Sequence, residues 1–142
     1  MVYLSGINHY DTIPMAPMAK QTILIIEDEQ TILKAIQIAL EEAGYQVFTA
    51  IDGESGEGAA KTEKPDLILL DIILPRKNGL DVLKSLKADE ATKRIPVILL
   101  TNLSDTDTVS QGVALGARGY LVKANYSLDE VVAKVKEVLK KK

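Results

Sequence analysis

An α/β fold built on a five-stranded parallel sheet, with helices on both faces, follows from three features of this sequence. Short apolar runs bounded by polar residues recur five times. Between them lie stretches whose apolar residues repeat every three or four positions. The two patterns alternate, and strands apolar on both sides that alternate with helices pair in parallel and are covered above and below. Crossovers in such a sheet are right-handed.

The elements come in order. Residues 22–27 form the first strand. A helix over 29–43 carries Ile32, Ile36 and Leu40 at four-residue spacing, beside Ala35 and Ala39, and Gly44 stops it. The second strand spans 45–50. The helix over 53–61 is the weakest, because Gly56 and Gly58 each cost roughly 1 kcal/mol against Ala. The third strand spans 66–71. Pro75 and the Asn78-Gly79 pair then read as a tight loop, and Leu80, Leu83 and Leu86 stripe the next helix. The fourth strand covers 95–101, and Val109 and Val113 stripe a weaker helix after Ser104. The fifth strand covers 119–123. In the last helix Leu128, Val131, Val132, Val135, Val138 and Leu139 share one face, and Ser127 with Glu130 forms a capping box.

Residues 1–19 show neither period and contain Pro14, Pro17, Met1, Met15 and Met18. They read as a flexible N-terminal extension, with one compact domain over 20–142. In the alternative, Tyr3, Leu4, Ile7 and Tyr10 dock on the domain or on a neighbour.

Composition narrows the chemistry. The chain has 142 residues, 46% apolar and 26% charged, a globular mixture long enough for an unstapled core. Without cysteine it has no disulfide, thiolate or Cys-based metal site. With His9 as its one histidine, a His-based metal site or Ser–His relay is all but excluded. A net charge of −3 gives no basic footprint for nucleic acid. The apolar runs at 23–26, 67–70 and 97–100 are too short to cross a bilayer, and no signal peptide is visible. A soluble cytoplasmic protein is expected, its chemistry left to carboxylates, hydroxyls, lysines and a hard metal ion.

Open parallel sheets bind ligands beyond the carboxyl ends of their strands. Those ends here are Glu27-Asp28-Glu29, Asp71, Thr101-Asn102 and Lys123, with Thr49-Ala50 bland. If the first and third strands are neighbours, Glu27, Asp28 and Asp71 crowd together. Like carboxylates at short range repel, and a divalent cation relieves them; Mg²⁺ prefers such oxygen ligands. A carboxylate beside a metal can attack a phosphoryl group to form an acyl phosphate, with Lys123 supplying positive charge and Thr101 a hydroxyl. Plainer readings stand beside these. The acids of 27–29 suit a helix N-terminus, Lys123 an ordinary strand end, and Thr101 a strand by propensity. Asp71 is harder to explain away, since an acid has no packing role at the end of an apolar strand.

Four stretches, in order, resemble the receiver domain of two-component response regulators. They are Ile25-Ile26-Glu27-Asp28-Glu29, Leu70-Asp71-Ile72-Ile73-Leu74-Pro75 with Asn78-Gly79-Leu80, Pro96-Val97-Ile98-Leu99-Leu100-Thr101, and Gly116-Ala117-Arg118-Gly119-Tyr120-Leu121-Val122-Lys123. The spacings are 43 (71 − 28), 30 (101 − 71) and 22 (123 − 101). The resemblance implies a flavodoxin-like strand order 2-1-3-4-5. It implies phosphorylation of Asp71 by a sensor histidine kinase or phosphotransfer protein. Mg²⁺ would be held by Asp28 and Asp71, by the Ile73 backbone carbonyl, and by Glu27 through water. Thr101 and Lys123 would contact the phosphoryl group, and Thr101 with Tyr120 would form the switch. Tyr120 also reads as a plain core aromatic. The face of fourth helix, fifth strand and fifth helix would meet a downstream protein, or a second copy in a homodimer. No direct contact with nucleic acid or membrane is expected, and no enzymatic activity beyond the domain's own phosphorylation and dephosphorylation.

The chain departs from the family pattern in places. Ala124 follows Lys123 where proline is common, leaving the peptide geometry there open. Asn102 stands where a small residue is usual. Ile73 and Leu103 are apolar and are expected to hinder the hydrolytic water, prolonging the phosphoryl state. A phosphorylation-independent pseudo-receiver, acting as a protein-binding module, is the alternative that Asn102 and Ala124 keep open. A flavin site lacks a phosphate loop after the first strand. A metal-dependent aspartate phosphatase would need a second acid where Ile73 stands. The chain stops at Lys140-Lys141-Lys142, right after the last helix, so no output domain is expected within it. A stand-alone receiver and a piece of a longer regulator both fit.

Overall fold

In the computed structural model, residues 19–102 and 106–140 are described. The expected extension, with Tyr3, Leu4, Ile7, His9 and Tyr10, lies outside them, as do Leu103, Ser104, Lys141 and Lys142. The strands are β1 (Thr22–Ile26), β2 (Gln46–Ala50), β3 (Leu67–Asp71), β4 (Val97–Thr101) and β5 (Gly119–Val122). The helices are α1 (Gln30–Glu42), α2 (Gly53–Glu63), α3 (Gly79–Ala88), α4 (Thr106–Ala114) and α5 (Leu128–Lys140). All strands pair in parallel in the order β2-β1-β3-β4-β5, as the resemblance implies. Each is a residue or two shorter than the apolar runs suggested, so Glu27 and Lys123 stand just beyond their strands.

Side chains alternate across a strand, which divides the core in two. Ile23 and Ile25 of β1, Leu67 and Leu69 of β3 and Ile98 and Leu100 of β4 face α1 and α5. The intervening Leu24, Ile26, Ile68, Leu70, Val97 and Leu99 face α2 and α3. The three central strands are therefore buried on both sides. The edge strands β2 and β5 are only half-covered, which corrects the expectation that all five are apolar throughout.

Helix ends follow their sequence signals closely. Glu130 N donates to Ser127 Oγ and Ser127 N to Glu130 Oε1, each at 3.2 Å, so the capping box is formed. Gly44 adopts φ +102° just past α1. Asn78-Gly79 is not a free turn: Asn78 Oδ1 accepts from Asp81 N at 3.0 Å and caps α3, whose first residue is Gly79. The helical stripes differ in part from their expected faces. Leu33 joins Ile36 and Leu40 in the core with Ile32 packed half-buried against them, and Leu128 at the start of α5 is exposed. In α4 the buried residue is Gly112, and Val113 is exposed. The helix rests on Leu99 of β4 through that glycine, which turns Val113 outward.

Gly56 is a second close approach. A Cβ there would lie 2.6 Å from Cδ1 and 2.8 Å from Cγ2 of Ile26, a fully buried side chain with nowhere to move. The residue that weakens α2 by propensity thus lets it settle onto β1. Helix propensity alone favours Gly56→Ala by roughly 1 kcal/mol, but overpacking of about 1–3 kcal/mol outweighs it. Urea denaturation should show Gly56→Ala less stable than the parent; a more stable variant would contradict this packing.

Candidate functional site

Because β1 and β3 are neighbours, the residues at their carboxyl ends meet. Glu27 follows β1 and is fully buried; its N–H donates to Ala50 O at 3.0 Å, tying it to β2. Asp71 ends β3 and is 2% exposed. Its Oδ1 accepts from Ile73 N at 3.3 Å, the first turn of the loop that follows. Lys123 follows β5, and its N–H donates to Thr101 O at 2.6 Å, so β4 places it. Its ammonium then reaches across the sheet end, 2.6 Å from Glu27 Oε1, 3.0 Å from Asp71 Oδ2 and 3.6 Å from Glu29 Oε1. With its side chain 6% exposed, Lys123 is no ordinary strand-end lysine.

Asp28 completes the acids. One oxygen each from Glu27, Asp28 and Asp71 lies within 4.8 Å of the others. Three carboxylates thus face one ammonium, an excess of negative charge suited to a divalent cation. The hydrogen bonding agrees. Glu27 Oε2 accepts from Glu29 N at 3.0 Å. Glu27 Oε1 is buried and has no aligned hydrogen bond; its contact with Lys123 is an ion pair only. A buried carboxylate oxygen left this way is open to a cation or to a water that serves one. The all-oxygen donor set fits a hard ion.

Burial pushes the Glu27 carboxyl above its ordinary value, against the pull of Lys123. Burial would lower Lys123, but Glu27 and Asp71 outweigh it and hold the ammonium above its ordinary value.

The other expected residues are placed as follows. Thr101 ends β4 and is buried. Asn102 and Asp28 are exposed. Ile73 is 68% exposed and lies outside the core. Tyr120 is 46% exposed, which overturns its reading as a plain core aromatic. It pairs with Leu99, two residues before Thr101, so Tyr120 and Thr101 share one face of the sheet. No cis peptide occurs among the described residues, so the Lys123–Ala124 bond is trans.

Tyr126 escaped the sequence reading. It packs half-buried against the α1–α5 core. Burial pushes its phenol up; Lys123 pulls it down, and Glu27, Asp71 and Glu29 push it further up. Its phenol thus feels the charges of the pocket, and a single large ring in the polar stretch after Lys123 was the available signal.

The pocket depends on Lys123. Without it, Glu27 and Asp71 are buried carboxylates lacking a partner. Glu27, already raised, then holds its proton more tightly in the native state than in the unfolded chain, and stability falls as pH rises through its pKa. Lys123→Met should therefore cost about 3–5 kcal/mol at pH 8 without metal, and distinctly less at pH 5. Equal losses at both pH values, read from urea midpoints, would contradict this.

A sequence model of the family described as "Response regulator receiver domain" matches residues 23–136. The phosphate regulon transcriptional regulatory protein PhoB of Pseudomonas aeruginosa is 41% identical over 124 residues, which are 87% of this chain and 54% of PhoB. This chain spans about half the length of the curated relatives it matches. Among solved structures, a putative response regulator from Chloroflexus aurantiacus superposes with TM-score 0.81 at 30% identity, over 86% of this chain and 99% of that one. The Mn²⁺-bound form of response regulator Rcp1 gives 0.71 at 29% identity, over 83% and 91%.

Proposed function

The chain belongs to the response regulator receiver family, and on that premise we propose that Asp71 is its phosphoacceptor. A sensor histidine kinase or phosphotransfer protein presents the phosphoryl group on a histidine. An Asp71 carboxylate oxygen attacks phosphorus, the P–N bond breaks, and an acyl phosphate forms. The arrangement that carries this reading is the cluster of Glu27, Asp28 and Asp71 opposed by the buried Lys123.

Each residue has a task. Glu27, Asp28, Asp71 and the Ile73 carbonyl would hold Mg²⁺, which supplies charge neutralisation to the transferring group when bound. Lys123 already lies on Asp71 Oδ2 and balances the growing charge of the phosphoryl oxygens. Thr101, next to it on β4, offers its hydroxyl to one of them. The modification adds nearly two negative charges and draws Thr101 and Lys123 toward it. Tyr120, exposed on the same face of the sheet, then turns inward. The surface of α4, β5 and α5 changes with it, for a downstream protein or a second copy of the chain. We take residues 20–142 as the receiver unit, acting in the cytoplasm through protein contacts. In keeping with this, no helix among the described residues is long and apolar enough to cross a membrane.

Incubation with acetyl phosphate and Mg²⁺ should add a single phosphoryl group, seen by intact mass, and neither chelation of the metal nor Asp71→Asn should permit it. A folded wild type that takes no adduct would instead favour a phosphorylation-independent binding module. Ile73 leaves the incoming water an apolar neighbour, so Ile73→Asn should speed decay of the adduct; an unchanged decay rate refutes that role.

A further inference from the structure

We propose that Lys77 is a positioning residue for the phosphoryl pocket, its ammonium clamped between Glu57 of α2 and Ser85 of α3 so as to hold the loop that follows Asp71. The inference rests on the reading of Asp71 as phosphoacceptor and adds α2 to the machinery around it.

The loop needs holding. Arg76 adopts φ +69°, and Lys77 N donates to Pro75 O at 2.8 Å. That is a γ-turn with a non-glycine residue at positive φ, a strained conformation that lasts only where its surroundings enforce it. Those surroundings are α2. Gly53 N donates to the same Pro75 oxygen at 3.2 Å, and a Cβ on Gly53 would fall on the Lys77 carbonyl.

The side chains then decide which contact holds. Arg76 lies 3.7 Å from Asp52 and 4.0 Å from Glu54, but its side chain is 68% exposed, and such surface pairs hold little. Lys77 Nζ lies 2.5 Å from Glu57 Oε2 and 2.7 Å from Ser85 Oγ, a short charge-assisted pair with both charged side chains sheltered. Lys61 extends the network, at 3.9 Å from Glu57 and 3.4 Å from Asp89.

At its other end the loop is part of the pocket. Ile73 N is bonded to Asp71 Oδ1, Gly79 N to Ile72 O at 2.7 Å, and Leu74 is buried in the core. Ile73, the residue whose carbonyl faces the task of holding the cation, therefore lies in a closed lobe with the Lys77 clamp at its far side. Freeing the clamp loosens that lobe without touching a carboxylate.

The test uses Lys77→Met, Glu57→Gln and the charge-swapped pair Glu57→Lys/Lys77→Glu. Amide hydrogen exchange and Mg²⁺ titration followed by NMR are measured beside phosphoryl uptake from acetyl phosphate. Each single substitution should raise the Mg²⁺ concentration for half-saturation by about tenfold, as loss of a residue behind a metal ligand does. The Ile73 and Lys77 amides should exchange faster while those of β4 keep their protection, and the swapped pair should recover most of both effects. Wild-type Mg²⁺ affinity in Lys77→Met, a loss of protection shared by β4, or no recovery in the swapped pair would each overturn the proposal. A wild type that takes up no phosphoryl group defeats the phosphoacceptor reading instead, and the titration and exchange still decide the clamp.

Discussion

The upper end of the sheet depends on one ammonium among buried carboxylates. Glu27 is fully buried and Asp71 nearly so. Two such charges would be untenable in a protein interior without a counter-charge. Lys123 supplies it at 2.6 Å and 3.0 Å, yet one cation cannot balance three acids. The pocket is left electron-rich by construction, and Glu27 Oε1 keeps an unsatisfied direction. A divalent ion would relieve this incomplete neutralisation, and under the proposed function it would also offset the negative charge that a phosphoryl group brings.

Lys123 is delivered by a lightly packed part of the described fold. β5 is a half-covered edge strand, and beside it α4 rests on β4 through Gly112, with Val113 and Tyr120 exposed. On the other side of the sheet, α1 and α5 each bury several large side chains against the central strands. Under the proposed function, a charge added near Asp71 would act on a region with few apolar contacts to break, while the central strands hold the acids in place. Such weakly packed regions are the ones that open most readily in folded proteins.

On the opposite flank, α2 looks poor as a helix and is well suited as a brace. Gly53 and Gly56 let it approach the Lys77 backbone and Ile26 more closely than any other residue would allow. Asp52 caps it by accepting from Ser55 N at 2.8 Å, which offsets part of what the glycines lose. Propensity and packing pull in opposite directions here, and packing decides.

By itself the sequence determined the alternation of strands and helices, the capping box at Ser127 and the acids, hydroxyl and amine at the strand ends. These are local patterns of period and punctuation, and residues near in sequence settle them. The receiver resemblance added the strand order. Only the tertiary structure decided that Lys123 reaches both Glu27 and Asp71, that Tyr126 packs against the α1–α5 core, and that Lys77 finds Glu57 and Ser85. It also decided the rotation of α4 onto Gly112 and the half-exposure of β2 and β5. Each of these depends on which elements become neighbours and at what register, and such distances between remote segments exist only once the whole sheet has closed around its core.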